Sequence, residues 1–313
     1  MQGLVANSCI LYLGAGRMAR NFKVEVAAIN IRIPEDKKRD YEALIETIAR
    51  LRRGVRVYGD THVVISSYSR KENTGVISKY TEIDLDGDWF NQNSFDAATP
   101  EQLSEINIPN HLKPNYASFY FSLDPKEHVL AFTSYAGAKA LSTKGVEKFF
   151  KTAVTWREVK SEFGRVEADL IKDYGAVEDI LNLPHLKELE FIIRPPNNDD
   201  IGSTLAAVIE ESLREQNADE YEEKLKAKGK KNINPNKRTR ALGNVAAENG
   251  EFRAKNLEKG MKVSYNTADK PLTEMEIHTK EASDLSVFRI VAKKIFGKIS
   301  AKREEVRRIT ATE

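Results

Sequence analysis

Cysteine is almost absent from this sequence, since Cys9 is the only one among 313 residues. A single cysteine cannot form an internal disulfide, and it leaves thiolate zinc sites and cysteine catalysis without a set of partners. The chain also lacks an apolar run long enough to span a bilayer, and it lacks a basic N-terminal region followed by an apolar core. We therefore expect a protein of the reducing cytoplasm that is neither secreted nor inserted into a membrane.

A strong charge imbalance is also missing. The formal net charge is only +2, although 31% of the residues are charged and 41% are hydrophobic. This composition is typical of a globular protein and not of a disordered one. Because no global field attracts nucleic acid or a membrane, any such partner has to be recognised by a local cluster of charges.

The common catalytic signatures are absent as well. The five histidines show no HExxH or paired spacing, and there is no GxSxG elbow and no GxxxxGK[ST] phosphate loop. Gly14, Gly16 and Ala19 have the G-x-G-x-x-A spacing of a dinucleotide-binding turn. That turn needs a helix after it, whereas the residues that follow alternate like a strand. The sequence therefore assigns no reaction.

Met18 resembles a natural start of translation, because the first predicted strand follows it almost at once. The sequence Gly-Ala-Gly-Arg at residues 14–17 is compatible with purine-rich codons that resemble a bacterial ribosome-binding site. Our hypothesis is that residues 1–17 are a non-native N-terminal extension, translated from upstream sequence.

The stretch 163–200 organises the predicted fold. Leu189, Phe191 and Ile193 alternate with other residues, which is the pattern of a strand. The whole stretch is predicted to form a first strand, a short helix and then this second strand. Upstream, the predicted order of one strand, one helix and three strands indicates a mainly antiparallel sheet. We therefore predict an α+β fold of mainly antiparallel sheets with helices packed on one face and a central β-α-β unit.

Two intimately packed halves are predicted within this fold. An N-terminal α+β half covers residues 18–155, and a C-terminal α+β half covers residues 156–313. The second half carries a basic loop at residues 224–240 and ends in a helix over about residues 283–308, whose apolar residues have helical spacing.

The basic loop is the most informative charge cluster in the chain. It contains no acidic residue, and Gly229 and Pro235 argue against a continuous helix. Cations on such a mobile arm can neutralise phosphates and release counterions, which predicts DNA or RNA as the partner. The candidate phosphate-binding residues are Lys224, Lys226, Lys228, Lys230, Lys231, Lys237, Arg238 and Arg240. The alternative is a solvated connector balanced by the acidic run before it, and no base-stacking aromatic residue is interleaved.

A metal-dependent phosphodiesterase is the enzyme alternative. Asp199 and Asp200 follow a predicted strand, where carboxylates can bind magnesium for phosphodiester hydrolysis. Partner carboxylates such as Glu167 or Asp169 could come from the neighbouring strand. A turn with a helix N-cap is the simpler explanation of the two aspartates.

Asp84, Asp86 and Asp88 also invite a metal interpretation, because alternating carboxylates next to glycine can ligate calcium or magnesium. The glycine and glutamate positions of an EF-hand loop are not matched, however. A solvated turn after a strand is the favoured interpretation.

Two segments carry a resemblance to a known family. LPHLKELEFIIRPPNNDD, at residues 183–200, contains a strand that ends in an RPN-DD pattern, and INPNKRTRALGNVAAENGEF, at residues 233–252, contains a P-x-x-RT-x-A-L pattern and an NG turn. The chain resembles, from Ala19 to about Ile277, a group of bacterial proteins catalogued as domain of unknown function number 4747. One added proline, in Arg194-Pro195-Pro196-Asn197, departs from the family pattern.

The resemblance transfers no reaction and no catalytic residue. It implies an association with phage defence, because similar bacterial proteins often belong to defence loci. Three functions are therefore carried forward. The first is nucleic-acid binding by the basic loop, with Arg194 as a further contact, and the second is a magnesium-dependent phosphodiesterase centred on Asp199 and Asp200. The third is a protein-interaction component of a defence complex.

Overall fold

The computed structural model describes residues 22–34, 37–85, 87–196, 205–279 and 282–310. The helices in these ranges are α1 (Tyr41–Leu51), α2 (Pro100–Ser104), α3 (Thr143–Ala153), α4 (Arg157–Phe163), α5 (Tyr174–Leu181), α6 (Leu205–Glu215), α7 (Lys237–Asn249) and α8 (Asp284–Thr310). The strands are β1 (Phe22–Arg32), β2 (Val55–Tyr58), β3 (Thr61–Ser69), β4 (Thr74–Thr81), β5 (Phe90–Asn91), β6 (Asp96–Ala97), β7 (Ala117–Asp124), β8 (Val129–Ala136), β9 (Lys139–Ala140), β10 (Glu167–Leu170), β11 (Leu186–Ile193), β12 (Tyr221–Lys226), β13 (Gly250–Glu258), β14 (Met261–Asn266) and β15 (Thr273–His278).

Nine strands form a large antiparallel sheet in the order β10-β1-β8-β7-β4-β3-β2, with β15 also paired to β1 and β9 to β8. Strand β1 lies at the centre of its organisation. The first part of β1 pairs with β15 and the last part pairs with β10, while β8 pairs with its other edge. Strand β1 therefore joins segments that are far apart in the chain.

Alternation along β1 produces two hydrophobic cores. Val24, Val26 and Ala28 belong to the core that includes α5, α7, α8 and a second, smaller sheet. Ala27 and Ile29 belong to the core beneath α1, α3 and α4 on the other side. Because successive strand side chains point to opposite faces, one buried strand can serve both cores. The large sheet consequently has helices on both of its faces, and not on one face as the sequence predicted.

The smaller sheet has four antiparallel strands in the order β12-β11-β13-β14. Phe191 and Phe252 stack on its inner face, with ring centroids 4.9 Å apart, and Leu189 and Ala254 are buried beside them. The opposite face carries charged residues. This division matches the half-buried pattern that antiparallel sheets commonly show.

The α+β class predicted from the sequence is confirmed, with antiparallel sheets and a strand-helix-strand unit formed by β10, α5 and β11. The two strands of this unit belong to different sheets, so α5 connects the sheets. The elements that were not expected are α2, α4, β5, β6, β9, β12 and β15. Helix α1 begins at Tyr41, because the Asp40 side chain accepts a hydrogen bond from the Ala43 N–H and caps the helix there. The division into halves at residue 155 stays a prediction.

The Asn249-Gly250 pair does not form the turn that the sequence indicates, because α7 passes directly into β13 at this point. Gly250 pairs with Ile193 across the sheet. A Cβ atom on Gly250 would lie 2.0 Å from the carbonyl oxygen of Ile192. The glycine is therefore required by the close approach of two backbones and not by a turn.

A buried guanidinium joins the C-terminal helix to the rest of the fold. Arg303 of α8 donates through Nε to Glu248 Oε2 at 2.8 Å, through Nη1 to the Glu127 carbonyl oxygen at 2.5 Å, and through Nη2 to Asn30 Oδ1 at 3.3 Å. The other oxygen of Glu248 accepts the Tyr174 hydroxyl at 2.6 Å. Arg303 thereby links α8 to α7, β1 and the turn between β7 and β8, and through Glu248 to α5.

Helix α8 is the longest helix in the described ranges, but it is amphipathic and rich in lysine and arginine. No helix in those ranges is both long and apolar enough to cross a membrane.

We predict that His128 makes folding stability depend on pH. This buried side chain stacks on Tyr41 at 4.2 Å, and burial together with Arg303 and Arg39 lowers its pKa to about 3. Since the unfolded chain binds a proton near the ordinary value of 6.5, the contribution is complete above that pH and is lost as the pH falls towards 3. The expected loss from this group between pH 7 and pH 5 is about 2 kcal/mol.

Urea denaturation of the wild type and His128→Asn at both pH values measures this effect. Asparagine tolerates the positive φ of this position and does not titrate. The stability of the variant should change less than that of the wild type over this interval. An equal change in the two proteins would contradict the assignment.

Candidate functional site

The basic segment at residues 224–240 is a loop only in its middle. Lys224 and Lys226 belong to β12, and the residues from Lys237 onwards belong to α7. The loop between them is attached to the N-terminal end of β11: the Ala227 N–H donates to the Lys187 carbonyl oxygen at 2.9 Å, and the Ile233 N–H donates to the Leu186 carbonyl oxygen at 2.9 Å.

A lysine outside the segment fixes its path further. Lys187 Nζ donates to the carbonyl oxygens of Lys230 and Lys231 at 3.2 and 2.8 Å, and to Asn232 Oδ1 at 2.7 Å. Asn232 also donates to the Pro184 carbonyl oxygen at 3.1 Å. The segment is therefore held against the sheet by its backbone, while its lysine side chains extend outwards.

Three of the eight predicted phosphate-binding residues are engaged in ion pairs. Lys224 contacts Glu190 at 2.5 Å and Glu188 at 3.2 Å. These contacts raise the pKa of Lys224, through hydrogen bonds first to Glu190 and then to Glu188. A cation that already has two carboxylate partners has less to gain from a phosphate.

The two arginines are held more firmly. Arg238 forms a bidentate pair with Glu223, at 2.7 and 2.8 Å, which lowers the pKa of that carboxyl below its ordinary value. Arg240 contacts Glu178 at 2.6 Å and Asn182 at 2.8 Å. Both arginines connect α7 to neighbouring elements, so a structural role already explains their charges.

The remaining five lysines are exposed, and none of them forms an ion pair within the described ranges. They are Lys226, Lys228, Lys230, Lys231 and Lys237. The β13-β14 hairpin adds exposed Lys259 and Lys262 at the same end of the small sheet. Leu186, at the start of β11, contacts residue 233 of the basic segment on one side and pairs with Asn256, close to the hairpin, on the other. We call the five lysines of the segment the free lysines.

The outer face of the small sheet offers little further positive charge. Glu188 and Glu190 of the central strand β11 lie between cations on both neighbours, with Lys224 on one side and Lys255 and Arg253 on the other. This cross-strand ladder neutralises most of its own charge. The unneutralised charge therefore concentrates at the end of the sheet, with the free lysines.

A second charged feature is a cleft at the opposite end of β11. It lies where β1, β10 and β11 meet α3, α4 and α6, and it consists of two adjoining cavities of about 770 and 620 Å³. Arg165, Glu167 and Asp219 line both cavities. Arg194, predicted as an additional contact, lines the second cavity, and Pro195 lines the first.

The carboxylates of β10 differ in their surroundings. Asp169 is buried and binds two cations, Arg194 at 2.5 Å and Lys151 at 3.1 Å. Burial raises the pKa of Glu167, and the nearby arginines only partly oppose this effect. Asp169 is thus committed to an ion-pair network, whereas Glu167 faces the cleft.

The same network continues into the interior. Lys151 also contacts Glu147 at 2.9 Å, and buried Lys172 lies 3.9 Å from Glu147. Burial lowers the pKa of Lys172. Burial alone would raise the pKa of Glu147, but Lys172 and Lys151 lower it below its ordinary value. This arrangement keeps Glu147 charged and holds Lys151 beside the cleft.

The proposed catalytic aspartates Asp199 and Asp200 lie outside the described residues, as do Asn197 and Asp86. Among the residues that the structure describes, no group of three or more His, Cys, Asp or Glu side chains is arranged to hold a metal ion. Asp84 and Asp88 are part of the stretch between β4 and β5.

Sequence reasoning missed β12 and most of the cleft. Tyr221, Glu223 and Leu225 alternate with more exposed residues, which is the one signal that could have identified β12. The cleft had no comparable signal, because Arg32, Arg165 and Arg214 are separated widely in the chain and meet only through the pairing of β1 with β10 and the packing of α6.

These features define an antiparallel α+β protein with a lysine-rich end on its small sheet and a charged cleft where its two sheets meet. The family model described as "Domain of unknown function (DUF4747)" matches residues 22–293, and the chain belongs to this family. The resemblance stated from the two sequence segments is thereby confirmed. No protein with a curated description matches the chain significantly.

We predict that Arg194→Ala destabilises the protein by about 3 kcal/mol, because it removes one partner of the buried Asp169 carboxylate. Urea denaturation measures the change. Arg214→Ala is the matched control, since Arg214 is exposed and pairs with exposed Glu211, so its expected effect is below about 1 kcal/mol. Equal effects of the two substitutions would show that Arg194 contributes no more than a surface pair.

Proposed function

We propose that this protein binds nucleic acid, and that the free lysines form the phosphate-contacting surface. The observation that carries the proposal is the concentration of five exposed lysines, without ion pairs in the described ranges, on a segment whose backbone is held against β11. A fixed backbone reduces the conformational cost of presenting these charges together.

The chemistry of this surface favours the nucleic-acid backbone over the bases. Lysine is a compact point charge suited to phosphate, and the segment contains no aromatic residue on which a base could stack. Arg238 and Arg240, which could read base edges, are already paired with Glu223 and Glu178. We therefore propose binding with little sequence preference and with a strong dependence on salt.

The ion pairs divide the eight predicted phosphate-binding residues into two groups. Lys224, Arg238 and Arg240 orient β12 and α7, and the free lysines supply the charge that is available for phosphate. Lys259 and Lys262 would extend the same surface. A cytoplasmic location and a role in phage defence remain predictions that rest on the sequence and on the resemblance.

Fluorescence anisotropy with single- and double-stranded DNA and RNA over a salt series tests the proposal. In the five-lysine variant, Lys226, Lys228, Lys230, Lys231 and Lys237 are changed to alanine. If each contacts one phosphate of a duplex, the slope of log K against log salt becomes less steep by about 4, and affinity at low salt falls by at least about tenfold.

A matched variant controls for overall charge. It carries the same number of alanine substitutions at exposed lysines elsewhere, namely Lys71, Lys126, Lys148, Lys270 and Lys293. Its salt slope should remain close to that of the wild type. The proposal fails if no nucleic acid binds at low salt, or if both variants lose the same affinity. Binding of an acidic protein with no binding of nucleic acid would favour the protein-interaction alternative.

A further inference from the structure

The cleft at the junction of the two sheets has the dimensions of a small-molecule site. Its two adjoining cavities, of about 770 and 620 Å³, each lie within the range typical of ligand pockets. Arg194 follows the C-terminal end of β11, whereas the free lysines lie near the N-terminal end of that strand. Lys187 and Arg194 are seven residue steps apart along extended chain, or roughly 23 Å, so the cleft is a separate site.

Positive charge predominates on the walls of the cleft. Six cationic side chains line it, against three acidic ones, Glu167, Glu210 and Asp219. The cations are Lys151, Lys160, Arg32, Arg165, Arg194 and Arg214. Asp169, Glu147 and Glu211 pair with Arg194, Lys151 and Arg214, so these acids and the three on the walls together balance the six cations. An anionic ligand would therefore be bound by Lys160 and by the donors that the paired arginines leave unused.

Several of these cations are held in place from behind. Arg32 contacts Glu210 at 3.0 Å, with only 14% of the Arg32 side chain exposed, and Arg194 contacts Asp169. Arg165 pairs with Asp219 and lies 3.3 Å from Glu167. An arginine has five N–H donors, so each of these guanidiniums keeps donors beyond those that bind its acidic partner.

Arg32 provides a specific indication of a ligand. Its Nε is buried and has no hydrogen-bond partner within the described ranges, although the side chain lines the cleft. A buried donor without a partner is costly, and a bound acceptor would remove that cost once the Arg32 side chain turns its Nε towards the cleft.

The geometry of the rim supports the same site. Gly164 ends α4 with φ of +73°, and a Cβ there would also meet the Lys37 side chain at 3.1 Å. This conformation, which favours glycine, changes the direction of the chain between Lys160 in α4 and Arg165. Both side chains line the second cavity. Lys160 is exposed and forms no ion pair in the part of the chain that the structure describes. It is therefore available to an anion.

Apolar surface adjoins the cations in the first cavity. Pro34, Pro195, Leu213 and Ala218 line it together with Arg32 and Arg165. Inorganic phosphate would leave this surface unused, whereas a phosphate ester with an organic group would cover it. Because burial raises the pKa of Glu167, its repulsion of an anion is weaker than that of an exposed carboxylate.

We propose that this cleft binds a small organic phosphate of nucleotide size, with Arg165, Lys160 and Arg32 contacting the phosphate and the Pro195-Leu213 wall contacting the organic group. This inference is independent of the nucleic-acid surface on the free lysines. It assigns a ligand class to the site and no reaction.

Isothermal titration with AMP, ATP, inorganic phosphate and citrate tests the proposal. AMP or ATP should bind with one site per chain and more tightly than inorganic phosphate, and citrate should be weaker than either nucleotide. Lys160→Glu and Arg165→Glu should each weaken nucleotide binding by about 10- to 100-fold, the range expected for losing a charged hydrogen bond. Arg165→Lys should bind nucleotide more tightly than Arg165→Glu but less tightly than the wild type. Lysine keeps the positive charge but lacks the paired N–H donors of the guanidinium.

Lys126→Glu is the matched control, since Lys126 is an exposed lysine in the turn between β7 and β8, and it should bind nucleotide as the wild type does. The five-lysine variant should also keep full nucleotide affinity, which separates this site from the nucleic-acid surface. Thermal unfolding shows whether each variant is folded. The proposal is overturned if no nucleotide binds saturably, if citrate binds as tightly, or if affinity is unchanged in folded Lys160→Glu and Arg165→Glu.

Discussion

The buried guanidinium of Arg303 constrains the whole arrangement of sheets and helices. A charge in the interior is tolerated only when its hydrogen bonds are satisfied, and here the acceptors come from Glu248, Glu127 and Asn30 on three separate elements. Burial opposes the charged form of Arg303, but Glu248, Tyr174 and Glu127 raise its pKa above the ordinary value. Because all of these acceptors converge on one side chain, Arg303 ties α8 to β1, to α7 and to the turn between β7 and β8. The same contact fixes α7, and with α7 the small sheet, which carries the free lysines and borders the cleft.

Local pairing, and not net charge, separates structural cations from available ones. The chain has 49 Lys and Arg against 47 Asp and Glu, a balance that by itself predicts no binding surface. The structure distributes the charges unevenly, because Glu188, Glu190 and Glu223 neutralise Lys224, Lys255, Arg253 and Arg238 on the sheet. The free lysines at the end of the sheet have no comparable partners in the described ranges. An electrostatic surface can thus arise in a nearly neutral protein.

The parts of the fold that could be predicted from sequence are those in which apolar residues recur at the spacing of a helix or a strand. Helix α5 and strand β11 each bury a regular face, so local pattern and tertiary role agree. Strand β1 and helix α7 are buried on more than one side, so a single apolar face does not describe them. Strands β12 and β15 have charged residues at alternate positions and lie at sheet edges. About half of their side chains face solvent, so few apolar residues indicate a strand. The free lysines were identifiable because they are contiguous in sequence. The cleft was not, because strand pairing alone brings Arg32 beside Glu167.

The environment of Asp169 weighs against the hydrolase alternative at this end of β10. A carboxylate that binds magnesium contributes its negative charge to the metal, but Asp169 already shares its charge between Arg194 and Lys151. Glu167 lies beside Arg165, and its raised pKa makes it a weaker ligand for a hard cation. The acids around this cleft thus hold cations in position, and the group best matched to those cations is an anion. In the proposed anion site, the carboxylates at the end of β10 would act through the arginines and lysines that they orient.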